Sequence, residues 1–278
     1  MPDQPVVWLN GELVPESEAG ISPFDHGLLV GDGVFETCKV IGGQAFALTR
    51  HLDRLDRSAK GLGLDLPSRL QLRRAVAATI DANGSEAVGR LRIVVTGGPG
   101  PLGSARGDTQ PTVVILAAAA AAWPDVAQVV VVPWPRNERA ATAGLKTTSY
   151  AENVIALNHA HEHGASEAIF PNLGGNICEG TGTNIFVGLG GRLVTPPLLS
   201  GCLAGITREL LLESGLAEEA DVRATALPSA SEAFLTSSTR EIQPISHIDT
   251  MAIAQCPGPL TDRALEAFAK LVSDNLDP

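Results

Sequence analysis

The chain has 278 residues, of which 44% are hydrophobic and 18% charged, ordinary values for a globular protein with a sizeable core. Its formal net charge of −11 and isoelectric point near 5.0 argue against a nucleic-acid partner, because phosphate backbones are bound by basic surfaces. Four isolated cysteines without a CxxC pair, an N-terminus unlike a signal peptide and the lack of a long apolar run predict a soluble, cytoplasmic protein.

The residues before the alanine-rich stretch at 117–122 predict strands and two helices. Asn10-Gly11 is a turn signal inside a hairpin, and Gly31-Asp32-Gly33 breaks the chain before an alternating strand. Thr49 is the predicted N-cap of the first helix, whose leucines recur at helical spacing. The predicted elements are strands at 6–10, 11–14, 34–40 and 44–48, helices at 50–64 and 68–82, and strands at 90–96 and 112–117.

The alanine-rich stretch marks a join between two domains, and it predicts a small N-terminal domain at residues 1–120 and a larger domain at 121–278. Strands and helices do not alternate strictly, which favours an α+β fold over a doubly wound sheet. The elements predicted in the larger domain are strands at 128–132 and 165–170, a hairpin at 184–187 and 192–194, a strand at 232–236, and helices at 149–163, 207–213 and 260–276.

Three features between Gly144 and Thr207 suggest a site for an anionic cofactor that bears a carbonyl group. Lys146 can form a Schiff base, Glu179 in a glycine-rich turn can pair with a ring nitrogen, and the helix start at Gly205-Ile206-Thr207 can hold a phosphate. Pyridoxal phosphate needs all three functions. Each feature also has a plain structural interpretation: a surface lysine at a helix start, a solvated loop carboxylate and an ordinary capped helix end.

Two further stretches could bind the same phosphate. Arg54 and Arg57 lie on the helix that follows Thr49, where the alternative interpretation is a solvated helix face. Ser237-Ser238-Thr239 offers hydroxyl groups to an anion, or else forms a plain turn.

Other motifs give weaker indications. Residues 98–103 match GxGxxG, but prolines interrupt the motif and no helix is predicted after it, so a surface loop is favoured over a nucleotide site. His159, His161 and His163 lack a cluster of acidic or histidine partners elsewhere, so no metal site is predicted. The chain also lacks the GxSxG motif of a serine nucleophile.

Together these residues resemble the class IV aminotransferases, the fold-type IV group of pyridoxal-phosphate enzymes. This group includes branched-chain aminotransferases, D-amino acid transaminases, (R)-amine transaminases and aminodeoxychorismate lyases. The resemblance extends from about Trp8 to Phe268 and is carried by six blocks in order: FDHGLLVGDGVFET, HLDRLDRSAKGL, GLKTTSY, EAIFPNLGGNICEGTGTNIF, AGITREL and EAFLTSSTREIQPI. It implies a two-domain α+β fold with the cofactor between the domains, and a homodimer.

The resemblance implies a role for each matching residue. Lys146 is expected to carry the cofactor as a Schiff base and to shuttle the proton, and Glu179 to pair with the pyridine nitrogen. Phe35 is expected to line the substrate pocket. The other expected cofactor contacts are Arg54, Ser238 and Thr239 at the phosphate, Ile206 and Thr207 through the helix start, and Leu203 against the ring.

Departures from the relatives bear on the substrate. The tyrosine that branched-chain enzymes carry five residues after the lysine is replaced by Ala151, with Tyr150 one position earlier. The Val-Thr-Arg-Gly stretch of D-amino acid transaminases, whose arginine holds the substrate carboxylate, is here Val95-Thr96-Gly97-Gly98. The predicted replacements for that arginine are Arg136 and Arg240, with Arg106 and Arg139 as alternatives.

The resulting hypothesis is a ping-pong transaminase that moves the amino group of a D-amino acid to an α-keto acid, with (R)-amines as further donors. The first alternative is aminodeoxychorismate lyase, although the asparagine that lyases carry at the third position after the lysine is here Ser149. The second alternative is a branched-chain L-amino acid transaminase. A binding protein that has lost its chemistry is disfavoured by the presence of Lys146 and Glu179.

Overall fold

The computed structural model describes residues 4–120 and 122–278, which form two compact units. The first unit contains the residues up to Ala122 together with Leu145–Tyr150 and Asn275–Pro278, and the second contains Trp123–Gly144 and Ala151–Asp274. This division differs from a single boundary at residue 120, because two short stretches from later in the chain group with the first unit.

The first unit is built on a six-stranded sheet in the order β2-β1-β6-β5-β3-β4, in which all neighbours are antiparallel. Alternation places Leu91, Ile93 and Val95 of one central strand on the buried face. The strands are β1 (Val6–Leu9), β2 (Glu12–Pro15), β3 (Gly33–Ile41), β4 (Gln44–Ala45), β5 (Arg90–Thr96) and β6 (Thr112–Ala118).

Three helices belong to this unit: α1 (His26–Leu29), α2 (Leu48–Leu62) and α3 (Arg69–Ala82). Helix α2 contributes Leu52 and Leu55 to the core, and α3 contributes Leu72 and Val76. Helix α3 begins with a capping box in which Ser68 and Gln71 satisfy each other's backbone N–H groups. The core therefore lies between one face of the sheet and these two helices.

Helix α2 begins one residue before Thr49, so the prediction of Thr49 as its N-cap is wrong. Ala47 occupies the N-cap position with a left-handed backbone, φ +53°, and makes no side-chain cap. The Asp277 carboxylate accepts instead from Thr49 N at 2.7 Å and from Thr49 Oγ1 at 2.6 Å, and Ala47 N donates to Leu276 O at 2.7 Å. Residues 275–278 therefore cap α2 from more than two hundred residues away along the chain.

The second unit is built on a nine-stranded mixed sheet in the order β12-β11-β10-β13-β14-β7-β8-β9, with β15 beside β14. The β7–β8, β7–β14 and β11–β12 pairs are parallel and the other pairs are antiparallel. Its elements are β7 (Ala127–Val131), α4 (Ala151–Glu162), β8 (Glu167–Pro171), β9 (Ile177–Gly180), β10 (Asn184–Leu189), β11 (Arg192–Thr195), α5 (Ile206–Glu213), β12 (Glu218–Glu219), β13 (Ala233–Ser237), β14 (Glu241–Ile248), β15 (Met251–Ala252) and α6 (Pro259–Asp274).

Two longer strands of this sheet were not predicted. Strand β9 holds Glu179, which therefore lies in a strand and not in the glycine-rich turn expected from the sequence. Glycines flank this strand on both sides and disfavour strand formation. The strand forms because it pairs with β8, where Phe170 lies opposite Glu179. Strand β14 begins at Glu241 with φ +57° and contains Pro244, features that disfavour a strand in a sequence.

The other predicted elements are present, and their ends differ from the prediction by at most three residues. The largest difference is at the strand predicted at 44–48, which ends at Ala45. In the described part of the chain, none of the helices combines the length and the apolar character needed to cross a membrane.

Candidate active site

The segment around Lys146 extends alongside strand β3 of the first unit. Phe35 N donates to Lys146 O at 3.0 Å, and Thr148 N donates to Gly33 O at 2.8 Å. On the other side, Lys146 N donates to Ser58 Oγ of helix α2 at 3.0 Å. The lysine is therefore held by its backbone on a rigid sheet edge and not at a helix start.

The Phe35 ring gathers three polar side chains. Lys146 Nζ lies 4.4 Å from the ring centroid, and Arg92 Cζ lies 3.8 Å from it. The Tyr150 ring meets Phe35 edge-on, with 5.1 Å between centroids and 72° between planes. Burial lowers the pKa of Arg92, and nearby Tyr150 partly opposes that shift.

Arg92 was not among the residues singled out from the sequence. The signal for it was available in the alternation of β5, RLRIVVT, where Leu91, Ile93 and Val95 face the core. Alternation turns Arg92 to the opposite face, where it meets Phe35. An arginine facing a candidate lysine nucleophile can bind the carboxylate of a substrate.

Arg54, the residue predicted to bind the phosphate, belongs to a buried ion pair. Arg54 Nε and Nη2 donate to Glu36 Oε1 and Oε2 at 2.8 and 2.7 Å, and His51 Nδ1 lies 2.7 Å from Glu36 Oε2. Burial opposes ionisation of Glu36, but Arg54 and His51 outweigh it and hold the pKa of Glu36 well below its ordinary value. Burial lowers the pKa of His51, so its ring is neutral near pH 7.

In the second unit, Glu179 is held through both carboxylate oxygens. Leu203 N donates to Glu179 Oε2 at 2.9 Å, and Arg136 Nε lies 3.5 Å from Glu179 Oε1. Arg136 also lies over the Phe170 ring at 4.1 Å and reaches Asn153 Oδ1 at 3.3 Å. Arg136 Nη1 also lies 3.2 Å from Glu152 Oε2, so the guanidinium is shared between two carboxylates. This geometry supports a role beside Glu179 and Glu152 rather than at a substrate.

Helix α5 begins three residues after Leu203, whose backbone N–H donates to this carboxylate. Its N-cap is Gly205, and no described side chain caps its first turn, where Ile206 and Thr207 are buried. Asn184 Nδ2 donates to Leu203 O at 2.9 Å, and a Cβ atom on Gly205 would lie 2.0 Å from Asn184 Oδ1. The close approach requires glycine, and the uncapped N–H groups suit an anion.

The turn between β13 and β14 holds Ser238 and Thr239, both half-buried. Arg240 N donates to Ser237 Oγ at 3.1 Å, and the Arg240 guanidinium bonds Gln243 Oε1 at 2.8 Å and Glu167 Oε2 at 3.4 Å. It also lies 4.0 Å from the centroid of the Trp123 ring. Burial lowers the pKa of Arg240, an effect that Glu167 partly offsets. These partners support a role for Arg240 in shaping the turn.

The two alternative arginines lie in other surroundings. Arg106 forms a two-pronged salt bridge with Asp32, both distances being 2.6 Å, and thereby anchors the glycine-rich loop at 97–111. Arg139 is exposed, and its backbone N–H donates to Asn137 Oδ1 at 2.9 Å.

The histidine-rich stretch lies on α4 and in the turn that follows it. The His159 ring packs against Trp134 at 5.4 Å and against His163 at 4.1 Å. Residues 4–120 and 122–278 contain no group of three side chains arranged to hold a metal ion.

The donor groups in the two units match the functional groups of pyridoxal phosphate. A lysine amine suits its aldehyde, a carboxylate on a rigid strand suits its pyridine nitrogen, and an arginine, helix N–H groups and hydroxyls suit its phosphate. The residues present therefore fit this cofactor.

Comparison with known proteins gives the same answer. The profile of the family described as amino-transferase class IV, whose enzymes use pyridoxal phosphate, matches residues 33–248. A Methanocaldococcus jannaschii protein provisionally named branched-chain-amino-acid aminotransferase is 34% identical over 94% of both chains, and a Listeria monocytogenes D-alanine aminotransferase is 30% identical over 95% of both. The crystal structure of the Thermoproteus uzoniensis branched-chain aminotransferase superposes with a TM-score of 0.87 at 32% identity, covering 97% of this chain and 95% of that one. The chain therefore belongs to the class IV aminotransferases, the fold-type IV enzymes that depend on pyridoxal phosphate.

Proposed function

We propose that the enzyme transfers the amino group of a D-amino acid to an α-keto acid, with (R)-amines as further donors. The observation that carries the proposal is the meeting of Lys146 Nζ and the Arg92 guanidinium on the Phe35 ring. A substrate whose carboxylate binds Arg92 is thereby held within reach of the lysine amine. This arrangement suits an α-amino acid in the first half-reaction and an α-keto acid in the second.

The chain's own residues move the proton. Bound pyridoxal phosphate supplies the electron sink for the pair left when the substrate Cα–H bond breaks. Lys146 Nζ would take the Cα proton as general base and deliver it, within the same half-reaction, to the cofactor carbon that carried the aldehyde. In the second half-reaction Lys146 would move a proton in the opposite direction, from that carbon to Cα. Glu179 Oε1 or Oε2 holds the proton on the pyridine nitrogen, and the Leu203 N–H keeps the carboxylate oriented.

The remaining predicted residues bind and orient the cofactor. Arg54 donates charge-assisted hydrogen bonds to the phosphate, and the N–H groups of Ile206 and Thr207 complement its charge. The hydroxyl groups of Ser238 and Thr239 complete this phosphate site. We also propose that Leu203 packs against the ring.

The preference for D-amino acids rests on Ala151, which replaces the tyrosine of branched-chain enzymes, and on the similarity to D-alanine aminotransferases. A second candidate is a branched-chain L-amino acid transaminase. It is favoured by the position of the Tyr150 ring, which meets Phe35 beside Lys146 even though it comes one residue early in the sequence. The archaeal relative supports the same candidate.

A single-turnover titration of the purified holoenzyme distinguishes these functions. D-alanine, D-glutamate, L-leucine and (R)-1-phenylethylamine are added separately without an acceptor, and loss of the cofactor absorbance band is followed. We expect both D-amino acids to remove the band and L-leucine to leave it. The Lys146→Ala variant is the control, and it should respond to none of them.

Other outcomes assign the other functions. A response to L-leucine alone replaces the proposal with the branched-chain activity. Silence with all four donors replaces it with aminodeoxychorismate lyase, which release of pyruvate from aminodeoxychorismate then tests.

We further propose a homodimer in a reducing compartment such as the cytoplasm. Segment 21–30 of the first unit exposes Ile21, Phe24 and Leu28, each by at least half of its surface. Apolar side chains grouped in this way are typical of subunit interfaces. The four cysteines are free thiols, which suits a reducing environment.

A further inference from the structure

Glu36 is a carboxylate placed in the hydrophobic core of the first unit. It lies on β3 between Val34 and Cys38 on the face that packs against α2, and both of these neighbours are fully buried core residues. Leu52 and Leu55 of α2 belong to the same core. An ion pair in such surroundings gains little stability over apolar residues of the same volume, so stability alone does not account for Glu36.

The hydrogen bonds around Glu36 fix the orientations of the Arg54 and Glu36 side chains. His51 and Arg54 are three residues apart on α2 and so lie on one helix face, directed at the same carboxylate. Two parallel bonds from Arg54 Nε and Nη2 fix the plane of its guanidinium. The neutral His51 ring carries its hydrogen on Nδ1 and donates to Glu36 Oε2, which fixes the plane of the carboxylate.

We propose that Glu36 and His51 are positioning residues for the cofactor phosphate, acting through the guanidinium of Arg54. The inference rests on the proposed role of Arg54 as a phosphate ligand. Glu36 fixes the direction of the Arg54 donors, and His51 fixes the orientation of the Glu36 carboxylate. Neither residue touches the cofactor.

The test compares pyridoxal phosphate with pyridoxal, which lacks the phosphate. The full-length chain is stripped of cofactor and titrated with each compound. The dissociation constant of pyridoxal divided by that of pyridoxal phosphate is the ratio that reports the contribution of the phosphate. We expect Glu36→Gln to reduce this ratio by about a hundredfold and His51→Leu by about tenfold, since each disrupts a hydrogen bond to a charged group. The affinity for pyridoxal should stay unchanged in both variants.

Two further variants make the test specific. His51→Asn keeps an N–H donor near the place of Nδ1 and should restore most of the ratio. Thr79→Val removes a buried hydroxyl that donates to Ala75 O in α3 and serves as the control for damage to the same core. The ³¹P chemical shift of bound pyridoxal phosphate should move in the Glu36→Gln and His51→Leu proteins and not in Thr79→Val.

The Arg54→Met variant separates failure of this inference from failure of the proposed phosphate site. If Arg54→Met lowers the ratio while Glu36→Gln and His51→Leu do not, the positioning role is wrong and Arg54 remains a phosphate ligand. If Arg54→Met itself leaves the ratio unchanged, both assignments are wrong. Equal losses for pyridoxal and pyridoxal phosphate would show a merely structural role. Should Glu36→Gln fail to fold, His51→Leu carries the test alone.

Discussion

Arg92 and Arg136 carry the same charge, but their neighbours give them different tasks. Arg92 lies with Lys146 on the Phe35 ring, and in the described part of the chain it forms no ion pair with a carboxylate. Arg136 lies 3.5 Å from the Glu179 carboxylate and also reaches Glu152 at 3.2 Å. The first arrangement suits a substrate carboxylate, and the second suits control of the charge on Glu179.

We expect the exchange Arg92→Met to raise KM for D-alanine by about tenfold to a hundredfold with a smaller change in kcat. The reason is that a hydrogen bond to a charged group contributes about 1.5–3 kcal/mol and binds ground state and transition state alike. Steady-state kinetics measure the effect. KM for (R)-1-phenylethylamine, which has no carboxylate, should not change. An unchanged KM for D-alanine would show that Arg92 does not bind the substrate carboxylate.

Arg136→Met is the matched comparison for this exchange. It should leave KM for D-alanine nearly unchanged, because Arg136 is directed at Glu179. Loss of the cation near Glu179 raises the proton affinity of this carboxylate and of the pyridine nitrogen that pairs with it. The pH midpoint of the cofactor absorbance should therefore move upward.

At this scale the sequence predicted the residue types better than their partners. Motifs in the sequence single out Lys146 and Glu179, whose roles stay predictions. The partnership of Arg54 with Glu36 could not be predicted, because Glu36 lies eighteen residues earlier in an apolar strand and only the packing of α2 on β3 brings them together. The hydrogen bond from Arg240 to Glu167 could not be predicted either, because 73 residues separate the two.

Helix α2 is the element on which the first half of the site depends. Its single buried face carries His51, Arg54 and Ser58, so one helix orients the proposed phosphate arginine and supports the backbone of Lys146. The start of this helix is held by Asp277. Burial opposes the charge of Asp277, but hydrogen bonds from Thr49 and Arg73 outweigh it and hold the pKa of Asp277 below its ordinary value.

We expect Asp277→Asn to lower the free energy of unfolding by about 1 kcal/mol at pH 7, the usual loss for a helix cap, because the carboxylate is partly exposed and screened by solvent. Since the folded pKa is lowered, the stabilisation is complete above the unfolded pKa of about 3.9 and disappears as the pH falls through the folded pKa. Denaturant unfolding at pH 7 and in acid measures both effects.

Asp274→Asn is the control for this change, because Asp274 is exposed and accepts hydrogen bonds from Lys270 Nζ and Ser273 Oγ of its own helix. It should leave the unfolding free energy nearly unchanged. A stability difference for Asp277→Asn that persists undiminished in acid would contradict the charged cap.

Elements with strong local signals could be predicted, and those that depend on distant partners could not. The capping box of Ser68 and Gln71 marks the start of α3 in the sequence itself. Strand β9 has only four residues between glycine-rich stretches, and it is ordered by its pairing with β8. The start of α2 depends on Asp277, which no local pattern near Thr49 reveals.

For the whole molecule, the exposed apolar side chains of segment 21–30 are the basis of the proposed homodimer. Leu28 is 70% exposed and Phe24 is 53% exposed, while Asp25 and His26 between them are buried. A surface of this kind is unfavourable in water unless another surface covers it.

We expect Leu28→Glu to halve the mass of the protein measured by light scattering after size exclusion, because a buried charge opposes association. Leu70→Glu, at a 59% exposed leucine in the first turn of α3, is the control and should keep the mass of a dimer. A wild-type protein that elutes with the mass of one chain would refute the homodimer at once.

The first unit is assembled from three separate stretches of the chain, and this has a consequence for how the gene can change. A coding segment that stopped after residue 122 would specify a sheet without the lysine-bearing neighbour of β3 and a helix α2 without its carboxylate cap. We therefore expect the two units to be inherited together, because a gene fragment that ends at residue 122 carries neither the lysine-bearing segment nor the cap of α2.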